Sequence, residues 1–287
     1  MRRVLIVGTG LIGASVGLAL KANGFEGEVL GWDANDAELA EAAAMGAIDE
    51  PLPNREAILG IDADVIVLAT PVMAILDWMQ RLSPVLGEGT LVTDVGSTKQ
   101  DISALAAELF NQARKARFLA GHPMAGKESG GAALAEATLF RGATWLFCPA
   151  PGETGLEAEW RALVAGFGAH VRDIEAERHD AVCAWVSHLP QMVSTAMSAL
   201  LQDEFGADME EVAGIGGRAL REMTRLGASP YSMWRDVAMT NRENVAATLW
   251  ALEQRLAHLR ENLKTPGLRE EFSKANAFRA GTGVKKP

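Results

Sequence analysis

Short apolar, β-branched runs recur through the first part of the chain, at residues 4–7, 29–32, 65–69, 90–95, 117–120, 144–148 and 170–174. Between them lie stretches such as 36–45 and 99–113, rich in Ala, Leu, Glu and Gln, whose composition suits helices. Apolar strands alternating with helices are buried on both faces, so the pattern predicts an α/β domain built on a parallel, doubly wound sheet. After about residue 175 the strand signals stop, and the rest is rich in Ala, Leu, Met and Arg. The chain thus divides into an α/β domain over 1–174 and an all-α domain over 175–287.

In the helical half, Val245, Leu249, Leu252, Leu256, Leu259 and Leu263 fall on one stripe of a helix. Such a seam needs an apolar partner, either within its own domain or on a second copy of the chain. The stretch 181–202 carries no Asp, Glu, Lys or Arg and is long enough to cross a bilayer. Its Ser187, His188, Pro190, Gln191, Ser194, Thr195, Ser198 and Gln202 are too polar for a lone lipid-facing helix. A buried helix kinked near Pro190 is predicted instead, with no membrane partner. Residues 281–287 look like a loose tail.

A length of 287 residues suits two cores. The net charge of −10 argues against a nucleic-acid partner, because phosphate backbones call for clustered Lys and Arg. Two cysteines, Cys148 and Cys183, suggest neither a disulfide framework nor a zinc site, so no metal is expected and a reducing, cytoplasmic setting fits. Arg2-Arg3 followed by an uncharged run superficially resembles a secretory signal. Gly8, Gly10, Gly13 and Gly17 within that run speak instead for a strand, a tight turn and a helix start.

That turn, Gly8-Thr9-Gly10-Leu11-Ile12-Gly13, has the Rossmann form, in which glycines admit a pyrophosphate to a helix N-terminus. Asp33 ends the next strand about 20 residues on, where a carboxylate accepts hydrogen bonds from ribose hydroxyls. No Arg or Lys follows at 34–36 to neutralise a 2′-phosphate, which favours NAD over NADP. Thr70, just past the 65–69 strand, joins Gly8, Gly10, Leu11, Ile12, Gly13 and Asp33 as a candidate cofactor contact. Ser97, in Asp94-Val-Gly-Ser-Thr-Lys99, either meets the cofactor at the sheet edge or merely caps the next helix.

The block Gly121-His122-Pro-Met-Ala-Gly-Lys-Glu128-Ser-Gly-Gly131 follows another strand end, in the position of a functional loop. Hydride leaves a carbinol carbon only if the hydroxyl proton is accepted, and a neutral imidazole is suited to accept it; His122 is the candidate base. His170, His179 and His258 lack such a setting and are read as structural or solvated. Arg218, Arg221 and Arg225 share one helical face, which suggests either a grip on a polyanionic substrate or a solvated face paired to Glu222.

With these motifs in order, and with Ser187-His-Leu-Pro-Gln191, Thr224-Arg225, Ser229-Pro230 and Met233-Trp-Arg-Asp236 after them, the chain resembles the prephenate and arogenate dehydrogenases over about residues 3–265. The resemblance implies NAD-dependent oxidative decarboxylation of a small dicarboxylate: prephenate to 4-hydroxyphenylpyruvate, or arogenate to tyrosine. It implies that His122 takes the hydroxyl proton, that Ser97 orients His122 and the nicotinamide, and that His188 lies across the pocket. It also implies that Arg225 binds the ring carboxylate, that Arg221 grips the side-chain carboxylate where relatives commonly have Lys, and that Glu128 is a charged gate paired with Arg221. Many relatives append a regulatory or mutase domain; a minimal catalytic unit is expected here, assembled as a homodimer through the helical half. β-Hydroxyacid dehydrogenases and imine-type reductases share the domain plan but usually depend on a helical-domain lysine where this chain offers His188. The non-enzymatic alternative is an NAD-binding sensor.

Overall fold

The computed structural model describes residues 1–112 and 115–282. Eight strands form one sheet: β1 (Arg3–Val7), β2 (Glu28–Trp32), β3 (Glu50–Pro51), β4 (Val65–Leu68), β5 (Leu91–Asp94), β6 (Arg117–Pro123), β7 (Thr144–Cys148) and β8 (His170–Asp173). Their order is 3-2-1-4-5-6-7-8, with β6 and β7 antiparallel and every other pair parallel. Helices α1 (Leu11–Ala22), α2 (Asp36–Ala44), α3 (Arg55–Leu59), α4 (Val72–Leu82), α5 (Gln100–Leu109) and α6 (Gly155–Gly166) cover it. The helical half follows as α7 (Ala176–Cys183), α8 (Leu189–Phe205), α9 (Met209–Ile215), α10 (Arg218–Thr224), α11 (Tyr231–Thr240), α12 (Arg242–Glu261) and α13 (Pro266–Gly281).

The two-residue alternation of the central strands explains both faces. Leu5, Val7, Ile66, Leu68 and Val92 pack beneath α4 and α5 with Ile75, Trp78, Met79, Leu82 and Ile102. Val4, Ile6, Val65, Val67 and Leu91 pack on the other side with Val16, Leu20, Trp160 and Val164 from α1 and α6. Each such side chain, fully buried, contributes about 1.5–3 kcal/mol through removal from water. The crossover between β1 and β4 opens a crevice at the carboxyl ends of the strands, where doubly wound sheets bind ligands.

Several elements depart from the expectation. β3, two residues long and containing a proline, has no apolar signature. β6 runs three residues further than 117–120, because its end pairs with β7: Gly121 lies opposite Phe147 and His122 opposite Leu146. His122 is therefore held in a strand, not in the loop. The 181–202 stretch lies in one unbroken helical run, whose irregularity just before Pro190 is a π-helical turn: α7 ends at Cys183, Ala184–His188 forms the turn, and α8 starts at Leu189. It is not buried throughout, since Trp185, Val186 and Leu200 are more than half exposed. Along the leucine stripe Val245 is buried whereas Leu256 and Leu263 are exposed, so packing within the chain covers only its beginning. The end of the 99–113 stretch and the tail beyond 282 lie outside the described residues.

Two carboxylates dock the helical half on the sheet half. Asp180 of α7 accepts hydrogen bonds from the backbone N–H groups of Lys99 (2.7 Å) and Gln100 (2.9 Å), capping α5 from outside. Asp236 of α11 accepts one from Met73 N–H in the first turn of α4 (3.1 Å). Both carboxylates are buried and both face the positive end of a helix dipole, an interaction worth up to about 2 kcal/mol each.

The fingerprint turn has little room for change. Gly8 adopts φ +97°, and a Cβ on Gly13 would lie 1.9 Å from Gly8 O, so α1 packs against the turn only without one. Gly13→Ala is expected to destabilise the protein by about 1–3 kcal/mol, read as a fall in thermal midpoint. Gly10→Ala, whose Cβ would meet nothing within 4 Å, is expected to leave that midpoint unchanged.

Candidate active site

A cavity of about 540 Å³ lies between the carboxyl edge of the sheet and the helical half. Gly10, Leu11 and Ile12 form one end, Ala69 and Thr70 follow β4, and Val95, Gly96 and Ser97 follow β5. His122 and the loop from Met124 to Gly130 supply another wall. Ser187, Gln191, Arg225, Ser229 and Trp234 close it from the helical half.

The fingerprint end fits a dinucleotide. No side chain caps α1, so the N–H groups of Leu11, Ile12 and Gly13 lack helical partners and face open space in front of Gly10. The Thr70 hydroxyl oxygen is buried without a hydrogen-bond partner beside this space. At the end of β2, Asp33 accepts hydrogen bonds from Thr9 N–H (2.7 Å) and Asn35 N–H (2.8 Å), which fixes the carboxylate beside the turn.

His122 sits at the centre of a buried polar network. Its Nδ1 lies 2.8 Å from Nε2 of His179, and Nδ1 of His179 lies 2.7 Å from Asp180 Oδ1. Burial, together with the neighbouring His179 and Lys99, holds His122 well below the ordinary imidazole value of 6.5. His179 is lowered too, mainly by burial and against the pull of Asp180. Beneath them Lys99, fully buried, donates to Asp94 Oδ2 at 2.5 Å, and Asp94 also accepts from Gly96 and Gly121 N–H. Through the Gly121 N–H bond, Asp94 ties β5 to the residue preceding His122.

His179 is thus neither a solvated nor an isolated packing group, and the sequence reading of it is corrected. Cys183, which its sequence context did not place in a zinc site, follows His179 by one helical turn, and its Sγ lies 3.6 Å from Nε2. With His122 these atoms lie within 4.8 Å of one another, a set of metal-ligating type. Ser97 borders the cavity, in keeping with a place beside the cofactor, but the partner of His122 Nδ1 is His179 and the cap of α5 is Asp180, so Ser97 fills neither of those two positions.

On the opposite wall Arg225 forms an ion pair with Glu128, and both line the cavity. Gln191 holds the Arg225 turn in place, donating to Leu226 O at 2.7 Å and accepting from Ser229 Oγ at 3.2 Å. Lys127 is the second cation of the lining, paired with Glu136 at 2.5 Å. Arg218 pairs with Glu222 at 2.6 Å on the surface, and exposed Arg221 lies outside the lining, so Glu128 meets Arg225 and not Arg221. His188 is fully buried and also outside the lining; it packs edge-on against Trp234, which is part of it.

Burial lowers His188 from 6.5 to about 4. The unfolded chain therefore gains a proton near pH 6.5 that the folded chain refuses until about pH 4. The stability this group contributes is complete above pH 6.5 and lost as pH falls toward 4, by about 3 kcal/mol. Denaturant unfolding at pH 7.5 and pH 4.5 is expected to show a drop that His188→Gln reduces by about 2 kcal/mol. Equal drops in the two proteins would contradict the assignment.

Comparison with known proteins agrees with this layout. Residues 16–172 match the family model for the prephenate dehydrogenase nucleotide-binding domain, and residues 175–275 that for its dimerization domain. A prephenate dehydrogenase of Lactococcus lactis is 33% identical over 263 residues, covering 91% of this chain and 70% of the relative. The crystal structure of prephenate dehydrogenase from Aquifex aeolicus in complex with hydroxyphenyl propionate and NAD+ superimposes with a TM-score of 0.83 at 29% identity, over 99% of this chain and 96% of that one. Synechocystis arogenate dehydrogenase gives a TM-score of 0.75 at 27% identity, over 98% and 99%. With both halves matched in order and the fingerprint, His122 and Arg225 gathered on one cavity, the chain belongs to the prephenate dehydrogenase family.

Proposed function

We propose that the chain converts prephenate to 4-hydroxyphenylpyruvate by NAD-dependent oxidative decarboxylation, residues 1–174 binding the dinucleotide and 175–287 closing over the substrate. The observation that carries this reading is the placement of a neutral imidazole, His122, on a cavity with a dinucleotide cradle at one end and Arg225 opposite. Bound NAD supplies the acceptor for the hydride that leaves the ring carbon bearing the hydroxyl. His122 accepts the hydroxyl proton as the carbonyl forms. The electron-poor ring then loses its carboxylate as CO2, and the product is an aromatic phenol.

A substrate with two carboxylates meets two lining cations, Arg225 and Lys127, each held by an internal acid. Substrate binding is then an exchange of one carboxylate for another, which keeps the ring carboxylate from being bound too tightly before its charge departs. Half-buried Trp234 and the glycine-rich loop limit water around the reacting carbon. Arogenate, with an ammonium on the side chain, is the second reading, favoured by Glu128 on the same wall.

Turnover of purified prephenate and arogenate, each with NAD and NADP, separates these readings; prephenate with NAD is expected to be fastest. His122→Asn is expected to lower kcat by about 10²–10⁴-fold with the thermal midpoint unchanged, and wild-type activity in that variant would remove the base from the scheme. Because His122 stays neutral below its ordinary 6.5, the acidic limb of the kcat/KM profile is expected under that pH. Arg225→Ala is expected to raise KM for prephenate at least tenfold. A wild-type protein that binds NAD without turnover would favour the sensor.

The assembly we propose is a homodimer through the helical half, in keeping with the match to a dimerization domain. Exposed Trp185, Trp250, Leu256, Leu263, Phe272 and Phe278 supply the apolar surface such an interface buries. Sedimentation equilibrium is expected to give a dimer, and Leu256→Glu to weaken it. No helix among the described residues is long and apolar enough to cross a membrane, and a cytoplasmic location accords with the proposed use of NAD.

A further inference from the structure

The sequence offers no reason to single out His179, yet the structure puts it between the proposed base and a buried carboxylate. Three N–H groups converge on Asp180: the backbone amides of Lys99 and Gln100, and Nδ1 of His179. A carboxylate so placed only accepts, so the hydrogen between Asp180 and His179 belongs to His179 Nδ1. A neutral imidazole carries one N–H, and His179 has spent its own on Asp180. Its Nε2 is therefore an acceptor. Cys183 Sγ, 3.6 Å from the same Nε2, is a weak group that does not displace this assignment.

The consequence passes to His122. Its Nδ1 lies 2.8 Å from that acceptor and must carry the hydrogen between them, which leaves Nε2 bare on a ring that borders the cavity. Free histidine favours the opposite tautomer, with the proton on Nε2, and an Nε2–H cannot accept a proton from a substrate hydroxyl. We propose that His179, anchored by Asp180, is a positioning residue that holds His122 in its Nδ1–H tautomer and thereby frees Nε2 as the proton acceptor. This rests on the proposed dehydrogenase chemistry for its use and on the hydrogen-bond chain for its existence. In the step itself the substrate O–H bond breaks, an N–H bond forms at His122 Nε2, and the electron pair remains on oxygen as the carbonyl forms. The resulting imidazolium keeps its Nδ1–H on His179, and the Asp180 carboxylate at the far end of the chain opposes its charge.

The tautomer is directly observable. Long-range ¹H–¹⁵N correlation spectra of the resting protein labelled at its five histidines, with His122 assigned by its loss in His122→Asn, are expected to show His122 protonated at Nδ1. An Nε2–H signal would overturn the proposal whether or not the protein turns over prephenate. His179→Phe removes the acceptor and is expected to move His122 to the Nε2–H form and lower kcat about 10³-fold, with KM for prephenate within threefold. His179→Gln places an amide oxygen near the former Nε2 position, and is expected to restore the Nδ1–H form and kcat to within about tenfold of wild type. Equal losses in the Phe and Gln variants, or a Phe variant that keeps the Nδ1–H form, would refute the role assigned to His179. Should His179→Phe fail to fold, the resting-state spectrum and the Gln variant still decide. A wild-type protein with the expected tautomer but no turnover of prephenate or arogenate would count against the dehydrogenase reading alone.

Discussion

The cleft exists because carboxylates from the helical half cap helices of the sheet half. Asp180 and Asp236 reach across to the first turns of α5 and α4, whose N–H groups have no partners of their own. Neither acid is surface-exposed, so each loses a hydrogen bond that water does not replace if the two halves fall out of register. A cavity between two packed bodies is ordinarily free to open and close. Here its width beside α4 and α5 is set by these hydrogen bonds, and the residues lining it there inherit that rigidity.

The sheet half meets the same demand from within. The buried Lys99–Asp94 pair costs desolvation of two charges, which attraction alone does not repay unless the remaining donors and acceptors are also used. Asp94 accepts from Lys99, Gly96 and Gly121, and Lys99 also donates to Thr98 O at 3.0 Å. The arrangement binds the turn after β5 to the end of β6, and β7 binds that end from the other side by antiparallel pairing. His122 is consequently a strand residue whose backbone pairs with β7 on one edge, while its neighbour Gly121 is held by Asp94 on the other. The loop that follows, by contrast, is paired mainly through its side chains, Lys127 with Glu136 and Glu128 with Arg225, contacts that a substrate acid competes for directly.

Much of this was legible in the sequence. Central strands buried on both faces are continuous apolar runs, and the fingerprint turn carries its steric reason in its glycines. Legibility ended where tertiary pairing decides. The extension of β6 to Pro123 depends on β7, and β3 contains only Glu50 and Pro51, so neither has a local signature. His179 lies on a helix in a charged segment, 57 residues from the His122 ring it meets. One signal was available: a His-Asp pair followed by Cys183 one turn on, three ligand-type groups at helical spacing. The arginine face misled in the other direction, since α10 ends at Thr224 and Arg225 begins a separate tight turn, so helical spacing did not carry Arg218 and Arg221 into the cavity with it.

Asp180 ultimately governs both buried histidines of the helical half's contact with the site. Its carboxylate orients His179, while its backbone carbonyl accepts from Asn241 Nδ2 at 2.8 Å and so fixes which end of that amide is the donor. The second hydrogen of the same Nδ2 is then available to His188 Nδ1, 3.2 Å away, which makes that nitrogen an acceptor and assigns the His188 proton to Nε2. His122 and His188 are left in opposite tautomers by one residue acting through two different groups. Only the His122 ring borders the cavity, so the bare Nε2 is the one on the lining, while His188 packs against Trp234 outside it. Burial of both rings, which suppresses the charged form of each, keeps that distinction intact at neutral pH.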